Sequence, residues 1–273
     1  MGNLRKKLIA MDMDGTLLTS DKRIMQETLA DMQTAADAGK HVCLCTGRGI
    51  PEIRSYREEL AMVRYGVFEN GALVYDLAHN TVIYEKSIPR EMMEMIVDVG
   101  MKYNAMLHLH CPSDCVIKRD QAERAAEYGM GPYREMYLSV GTFVTDMKQE
   151  VKNRASIPKI NIYFKSTRER EKGYEELKDL PLTFAFTEVS SLEMTPEGVS
   201  KGTGLSKLAE HLGIDVNDVI AIGDSDNDRI MLKTAGFSVA MGNALEELKV
   251  CADAVTADND HNGVGEAIRK YLV

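Results

Sequence analysis

The chain reads as a doubly wound α/β protein whose parallel-sheet core is interrupted by an inserted α+β domain. Short apolar runs alternate with helix-length periodic stretches at both ends of the sequence, the pattern of a parallel sheet covered by helices on both faces. Three of those runs end in polar residues able to carry chemistry. Between about 87 and 188 the rhythm changes, so the chain is expected to leave the first domain and return to it.

The elements follow in order. Residues 7–12 form an apolar strand, and 24–38 place Ile24, Leu29, Met32 and Ala36 at roughly helical spacing before a C-capping Gly39. Residues 42–46 give a second buried strand, and a helix is expected over 51–62 with Pro51 in its first turn. Asn70-Gly71 between two short strands signals a hairpin. The middle region offers a Met-rich helix, strands near 106–110 and 114–118, polar helices near 121–129 and 166–180, and strands at 159–164 and 182–186. Met92, Met93, Met95 and Met101 are expected to fill core space. After it come helix 202–212, strand 219–223, helix 227–235, strand 237–241, a short helix near 245–250, strand 253–256 and a last helix 264–272. The core domain is therefore set at 1–86 and 189–273, and the insertion at 87–188.

The composition, 44% hydrophobic and 27% charged over 273 residues, is that of an ordinary globular protein. With 42 acidic against 33 basic residues the chain has a formal charge of −9, which offers no footprint for a nucleic-acid backbone. No apolar run approaches the ~18 residues of a membrane span, and the N-terminal apolar stretch is too short for a secretory signal, so a cytoplasmic location is expected. Five cysteines in such a chain read as reduced thiols, with Cys43 and Cys45 as small buried hydrophobes. Cys111 and Cys115 fall near His108 and His110, but neither pair has the spacing of a zinc finger, and no metal is expected there.

The strand ends carry the functional argument. One strand runs into Asp12, Asp14, Gly15 and Thr16, a second into Thr46, Gly47 and Arg48, and a third into Asp224. In an open parallel sheet the ligand crevice lies outside those carboxyl ends, so these residues should meet. Asp12 and Asp14 point the same way on extended chain, and two carboxylates can divide the work: one attacks an electrophile, the other moves a proton. Gly15 permits a sharp turn, and the Thr16 main-chain N–H could hold a phosphate oxygen. Asp12, Asp14 and Asp224, with Asp226 or Asp228, would repel a phosphate without cations. Mg2+ and Lys201, at the start of a helix, are the expected ones. Alone, the Asp pair before Gly15 would also suit a turn or a cap. Asp224, Asp226 and Asp228 match the start of a calcium loop, but Arg229 and Ala235 occupy places where that loop requires Gly and Glu.

These residues, in this order, resemble the motifs of the haloacid dehalogenase superfamily, in its Cof-like branch with a large inserted cap: Asp12 to Leu17, Thr46 to Arg48, Lys201-Gly202, and Gly223 to Asp228. Smaller agreements at Asn70 to Ala72, Met241 to Ala244 and Asp260 to Val264 extend the resemblance along the chain. It implies a Rossmann-like core and a phosphatase that acts on a small phosphorylated metabolite, such as a sugar phosphate, through an aspartyl-phosphate. Asp12 would be the nucleophile and Asp14 the acid and base. Thr46, Gly47, Arg48, Lys201 and Asn227 would contact the phosphate or substrate. Asp12, Asp224 and the Asp14 carbonyl would hold Mg2+, with Asp228 in support, and the cap would select the leaving group. Related mutases share these motifs, so phosphoryl transfer to a sugar hydroxyl is the competing expectation. A metal- or phosphate-binding module without turnover is the other, though it would have no need of Asp14.

Overall fold

The computed structural model describes residues 6–273. The first stretch holds β1 (Leu8–Met11), α1 (Gln26–Asp37), β2 (His41–Cys45), β3 (Tyr65–Phe68), β4 (Leu73–Asp76) and β5 (Thr81–Glu85). The middle holds α2 (Arg90–Lys102), β6 (Met106–His110), β7 (Cys115–Ile117), α3 (Arg119–Glu123), α4 (Arg134–Val140), β8 (Gly141–Phe143), α5 (Met147–Asn153), β9 (Lys159–Tyr163), α6 (Thr167–Leu177), β10 (Leu182–Ala185) and β11 (Ser191–Pro196). The chain then continues through α7 (Lys201–Leu212), β12 (Val219–Gly223), α8 (Arg229–Thr234), β13 (Phe237–Ala240), α9 (Glu246–Cys251), β14 (Ala254–Val255) and α10 (Gly263–Ala267).

These residues form two compact units. One gathers the described residues up to 47 with 56–85 and 200–273, and the other gathers 48–55 and 86–199. In the first unit the strands run in the order β14-β13-β12-β1-β2-β3-β4-β5. Pairing is parallel from β14 to β3, while β3–β4 and β4–β5 are antiparallel. β1 and β12 are wholly buried, as strands covered on both faces must be, and every residue of LIAM and VIAIG is apolar or glycine. The hairpin between β3 and β4 turns through Glu69, Asn70 and Gly71, all three at positive φ.

The second unit holds a sheet in the order β10-β11-β9-β6-β7-β8, antiparallel except for the β7–β8 pair. Alternation along its strands separates two faces. Leu107, Leu109, Ile160 and Ile162 pack with Met93 and Ile96 of α2, Val151 of α5 and Leu177 of α6 in one apolar cluster. Met106 and Tyr163 pack with Tyr128 and Tyr137 in another.

Several expectations need correction. The unit extends beyond 87–188, because β11 pairs with β9 and β10 and draws 189–199 with it, and residues 48–55 belong to it as well. The helix expected over 51–62 is a 3-10 turn at Ile50–Tyr56. The Glu52 carbonyl accepts from Arg48 Nη1 at 3.3 Å. Of the α2 methionines, Met93 is buried whereas Met95 and Met101 are exposed, so the core-filling reading fails for those two.

Candidate active site

Strand order places the site. β1 lies between β12 and β2, with Met11 opposite both Ile222 and Leu44, so the chain leaving all three strands does so along one edge. Asp12 carries the ladder one step further, its N–H donating to the Ile222 carbonyl at 3.1 Å. Thr46, just past β2, is buried, and its N–H donates to the Val67 carbonyl at 2.9 Å.

Lys201 enters from α7. A capping box starts this helix: Ser200 Oγ accepts from the Thr203 N–H at 3.1 Å, and Thr203 Oγ1 accepts from the Ser200 N–H at 2.9 Å. The cap sits against the β3–β4 turn. A Cβ on Gly71 would fall 2.0 Å from the Ser200 carbonyl oxygen, so this approach admits only glycine. From the first turn of α7 the buried Lys201 ammonium donates to Asp12 Oδ1 at 2.7 Å and to Asp228 Oδ1 at 2.6 Å. The other Asp228 oxygen accepts from the main-chain N–H groups of Asp224 and Ser225 at 3.0 and 3.1 Å.

Around this centre Thr16 Oγ1 donates to Asp224 Oδ1 at 2.8 Å. Ser225 Oγ donates to Asn227 Oδ1 at 2.7 Å, and Asn227 Nδ2 donates to Asn70 Oδ1 at 3.3 Å. Asn243 Nδ2 donates to the Gly15 carbonyl at 2.8 Å and steadies the turn after Asp12. Asp14 is more open, its carboxylate accepting from Lys22 Nζ at 2.7 Å.

The electrostatics show an excess of negative charge. Burial above all pushes the Asp12 carboxyl up to about 8; Lys201 pulls it down, and the carboxylates of Asp228 and Asp224 push it up again. Burial likewise raises Asp224 to about 6, against the Thr16 hydrogen bond and with the Asp228 charge. Burial disfavours the charge on Lys201, but Asp12 and Asp228 outweigh it and hold the amine well above its ordinary range, so the proton stays on the lysine. One ammonium thus serves a group of carboxylates. Asp12, Asp224 and Asp228 present oxygens within 4.8 Å of one another, a hard-donor set suited to Mg2+.

Asp12, Lys201, Asp224 and Asp228 are therefore brought together, with Asn227 beside them. The placements of Thr16 and Asp226 differ from the sequence reading. The Thr16 N–H is turned to the Met13 carbonyl at 3.3 Å, and it is the hydroxyl of Thr16 that faces Asp224. Arg48 donates to the Glu52 carbonyl at 3.3 Å and lies 3.9 Å from Met136 Sδ. Asp226 is exposed and paired with Arg229 Nε at 3.1 Å, so it is no part of the carboxylate group. Two participants lie outside the predicted site. Lys22 holds Asp14 from an exposed turn that no periodicity marks, and Asn70, expected as a hairpin residue and as one of the smaller agreements with the family's motifs, accepts from Asn227.

Comparison with known proteins gives the family. A family model described as haloacid dehalogenase-like hydrolase matches residues 9–268. The chain is 30% identical over 275 residues to the 5-amino-6-(5-phospho-D-ribitylamino)uracil phosphatase YitU of Bacillus subtilis, covering 97% of each. It is 29% identical over 243 residues to the HMP-PP phosphatase of Yersinia pestis, covering 89% of this chain and 86% of that one. A crystal structure of a haloacid dehalogenase-like hydrolase from Bacteroides thetaiotaomicron superposes with a TM-score of 0.85 at 26% identity, over 97% of this chain and 99% of the other. The chain belongs to the haloacid dehalogenase-like hydrolases, as one of their Cof-like phosphatases.

Proposed function

We propose that the chain hydrolyses the phosphomonoester of a small metabolite through an aspartyl-phosphate on Asp12, with Mg2+ as its cofactor. One observation carries the reading: a buried ammonium bridges Asp12 and Asp228 where three parallel strands end, so the carboxylate nearest the sheet is fixed beside a cation that can also hold phosphate.

Asp12 attacks phosphorus, forming an acyl-phosphate bond as the bond to the leaving oxygen breaks, and Asp14 gives that oxygen its proton. Asp14 then takes a proton from water; the water oxygen bonds to phosphorus and the Asp12 ester bond breaks. For this Asp14 has to leave its Lys22 contact and take up a proton from solvent before the first turnover, which its open position allows; each later turnover starts with the proton taken from water. Lys201 and Thr46 hold the phosphoryl oxygens, Asn227 supports the substrate, and Asp228 positions Lys201. Asp12, Asp224 and the Asp14 carbonyl would hold Mg2+, which supplies positive charge against the carboxylates and the phosphate. The second unit selects the leaving group. The relatives' substrates named above support a small phosphorylated compound as the class.

Asp12→Asn keeps the size of the side chain and an acceptor for Lys201 but removes the nucleophile. Phosphate release with Mg2+ over a panel of phosphorylated metabolites is expected to fall by about 10^4-fold or more. Release by the variant at near the parent rate would refute the role of Asp12. Isomerised sugar phosphate in place of free phosphate, on adding an activated bisphosphate, would turn the assignment to a mutase.

A further inference from the structure

Within the second unit, four side chains form a second cluster of donors. His108 and His110 lie two apart on β6 and so point to the same face. Cys115 on β7 is the register partner of His110. Glu52 arrives from the 48–55 segment, its Oε2 accepting from the Gly49 N–H at 2.6 Å and lying 3.6 Å from His110 Nδ1. One ligand atom from each of the four lies within 4.8 Å of the others, and all four residues are buried.

The two imidazoles have ring centroids 4.1 Å apart, and each is 1% exposed. Among the described residues, none of their four ring nitrogens has a hydrogen-bond partner. A buried polar group left unsatisfied keeps its full desolvation penalty, so an adjacent pair of such rings calls for a shared partner. Protonation does not answer the need. Burial pushes His108 down to about 3 and His110 well below its ordinary value, with the Lys159 ammonium adding to both, so the rings are neutral and have lone pairs to give. Lys159 itself is paired with Glu193 at 2.7 Å, which offsets its charge toward an incoming cation. Gly49 faces three of these donors: a Cβ there would stand 3.1 Å from His110 Nδ1, 3.5 Å from Cys115 Sγ and 3.6 Å from Glu52 Oε2, so a larger residue at this position would crowd them.

We propose that Glu52, His108, His110 and Cys115 form a binding site for a borderline divalent metal ion, Zn2+ foremost, separate from the carboxylate group of the first unit. Two nitrogens, one sulfur and one carboxylate oxygen are a zinc donor set rather than a magnesium one. Tetrahedral coordination would bring the donors, now within 4.8 Å of one another, to about 3.3–3.6 Å apart, a contraction of up to about 1.5 Å. The ion would tie the 48–55 segment to β6 and β7. The spacing of cysteines and histidines alone hid this site, since Glu52 is supplied by a distant part of the chain.

The test is a metal titration of the whole chain. Protein stripped with a chelator and dialysed against Zn2+ is expected to retain one ion per chain, measured by elemental analysis, in the presence of excess Mg2+. Asp12→Asn should retain it equally. Cys115→Ser and His110→Ala should each weaken retention by roughly 100-fold or more. Co2+ in place of Zn2+ should give a thiolate charge-transfer band that Cys115→Ser abolishes while the far-ultraviolet circular dichroism stays unchanged. Should His110→Ala not fold, Cys115→Ser and Glu52→Gln carry the test. Failure of the parent chain to keep zinc, its displacement by Mg2+, or undiminished binding by folded Cys115→Ser and Glu52→Gln would overturn the proposal.

Discussion

At Gly15 the backbone φ is +79°, and a Cβ placed there would lie 2.5 Å from Asp224 Oδ2. Any side chain must therefore push Asp224 away as well as adopt a left-handed conformation, which costs L-residues roughly 1–2 kcal/mol. Gly15→Ala is expected to lower stability by about that amount in chemical denaturation. Phosphate release should fall further than this loss explains, because Asp224 would leave the carboxylate group; an alanine variant with parental kcat would show that Asp224 is not needed where it stands. At this scale the sequence was informative about Asp12, Lys201 and Asp224, since each stands at or beside the end of a predicted element, where topology alone dictates convergence. It was uninformative about how an individual group is spent. That the Thr16 hydroxyl rather than its N–H faces Asp224 is an outcome of local hydrogen-bond competition that spacing does not encode.

Among the elements, the turn after β4 shows how a surface strand end is secured. Asp76 accepts from Arg64 Nε and Nη2 at 3.1 and 2.9 Å, from the main-chain N–H groups of Ala78 and His79, and from the His79 ring. Burial would raise this carboxyl, but those hydrogen bonds together hold it well below the ordinary carboxylate range. A carboxyl depressed in the folded state adds stability above the unfolded value of about 3.9 and loses it as pH falls below that. Asp76→Asn should therefore unfold more easily than the parent at pH 7, by about 1–3 kcal/mol, with the difference shrinking under acid. Equal stability at pH 7 would contradict this account. Residues 51–62 carry a helical pattern, yet the chain there forms a 3-10 turn at Ile50–Tyr56. The β1, β2 and β12 strands were legible because burial on both faces leaves an uninterrupted apolar run.

Over the whole molecule, the alternation of strand and helix at both ends was enough to read the core sheet, whereas the limits of the second unit were not. Its last strand, β11, is completely buried and pairs on both sides, but the sequence before α7 offers no change of composition at which to divide the chain. The Glu52, His108, His110 and Cys115 group is hidden for the same reason: it depends on which strands pair and on where the 48–55 segment comes to rest. The burial of Lys201 has a consequence for chemical labelling. An amine-acylating reagent needs a neutral, reachable nitrogen, and Lys201 offers neither: its side chain is 0% exposed and two carboxylates retain its proton, whereas Lys148, Lys178 and Lys207 stand in solvent. Acylation mapped by mass spectrometry should therefore reach Lys207 at once and Lys201 only as fast as the first unit opens, so that the residue proposed to hold phosphate also serves as a clock for local unfolding. Equal labelling rates at Lys201 and Lys207 would mean that the ammonium is not enclosed.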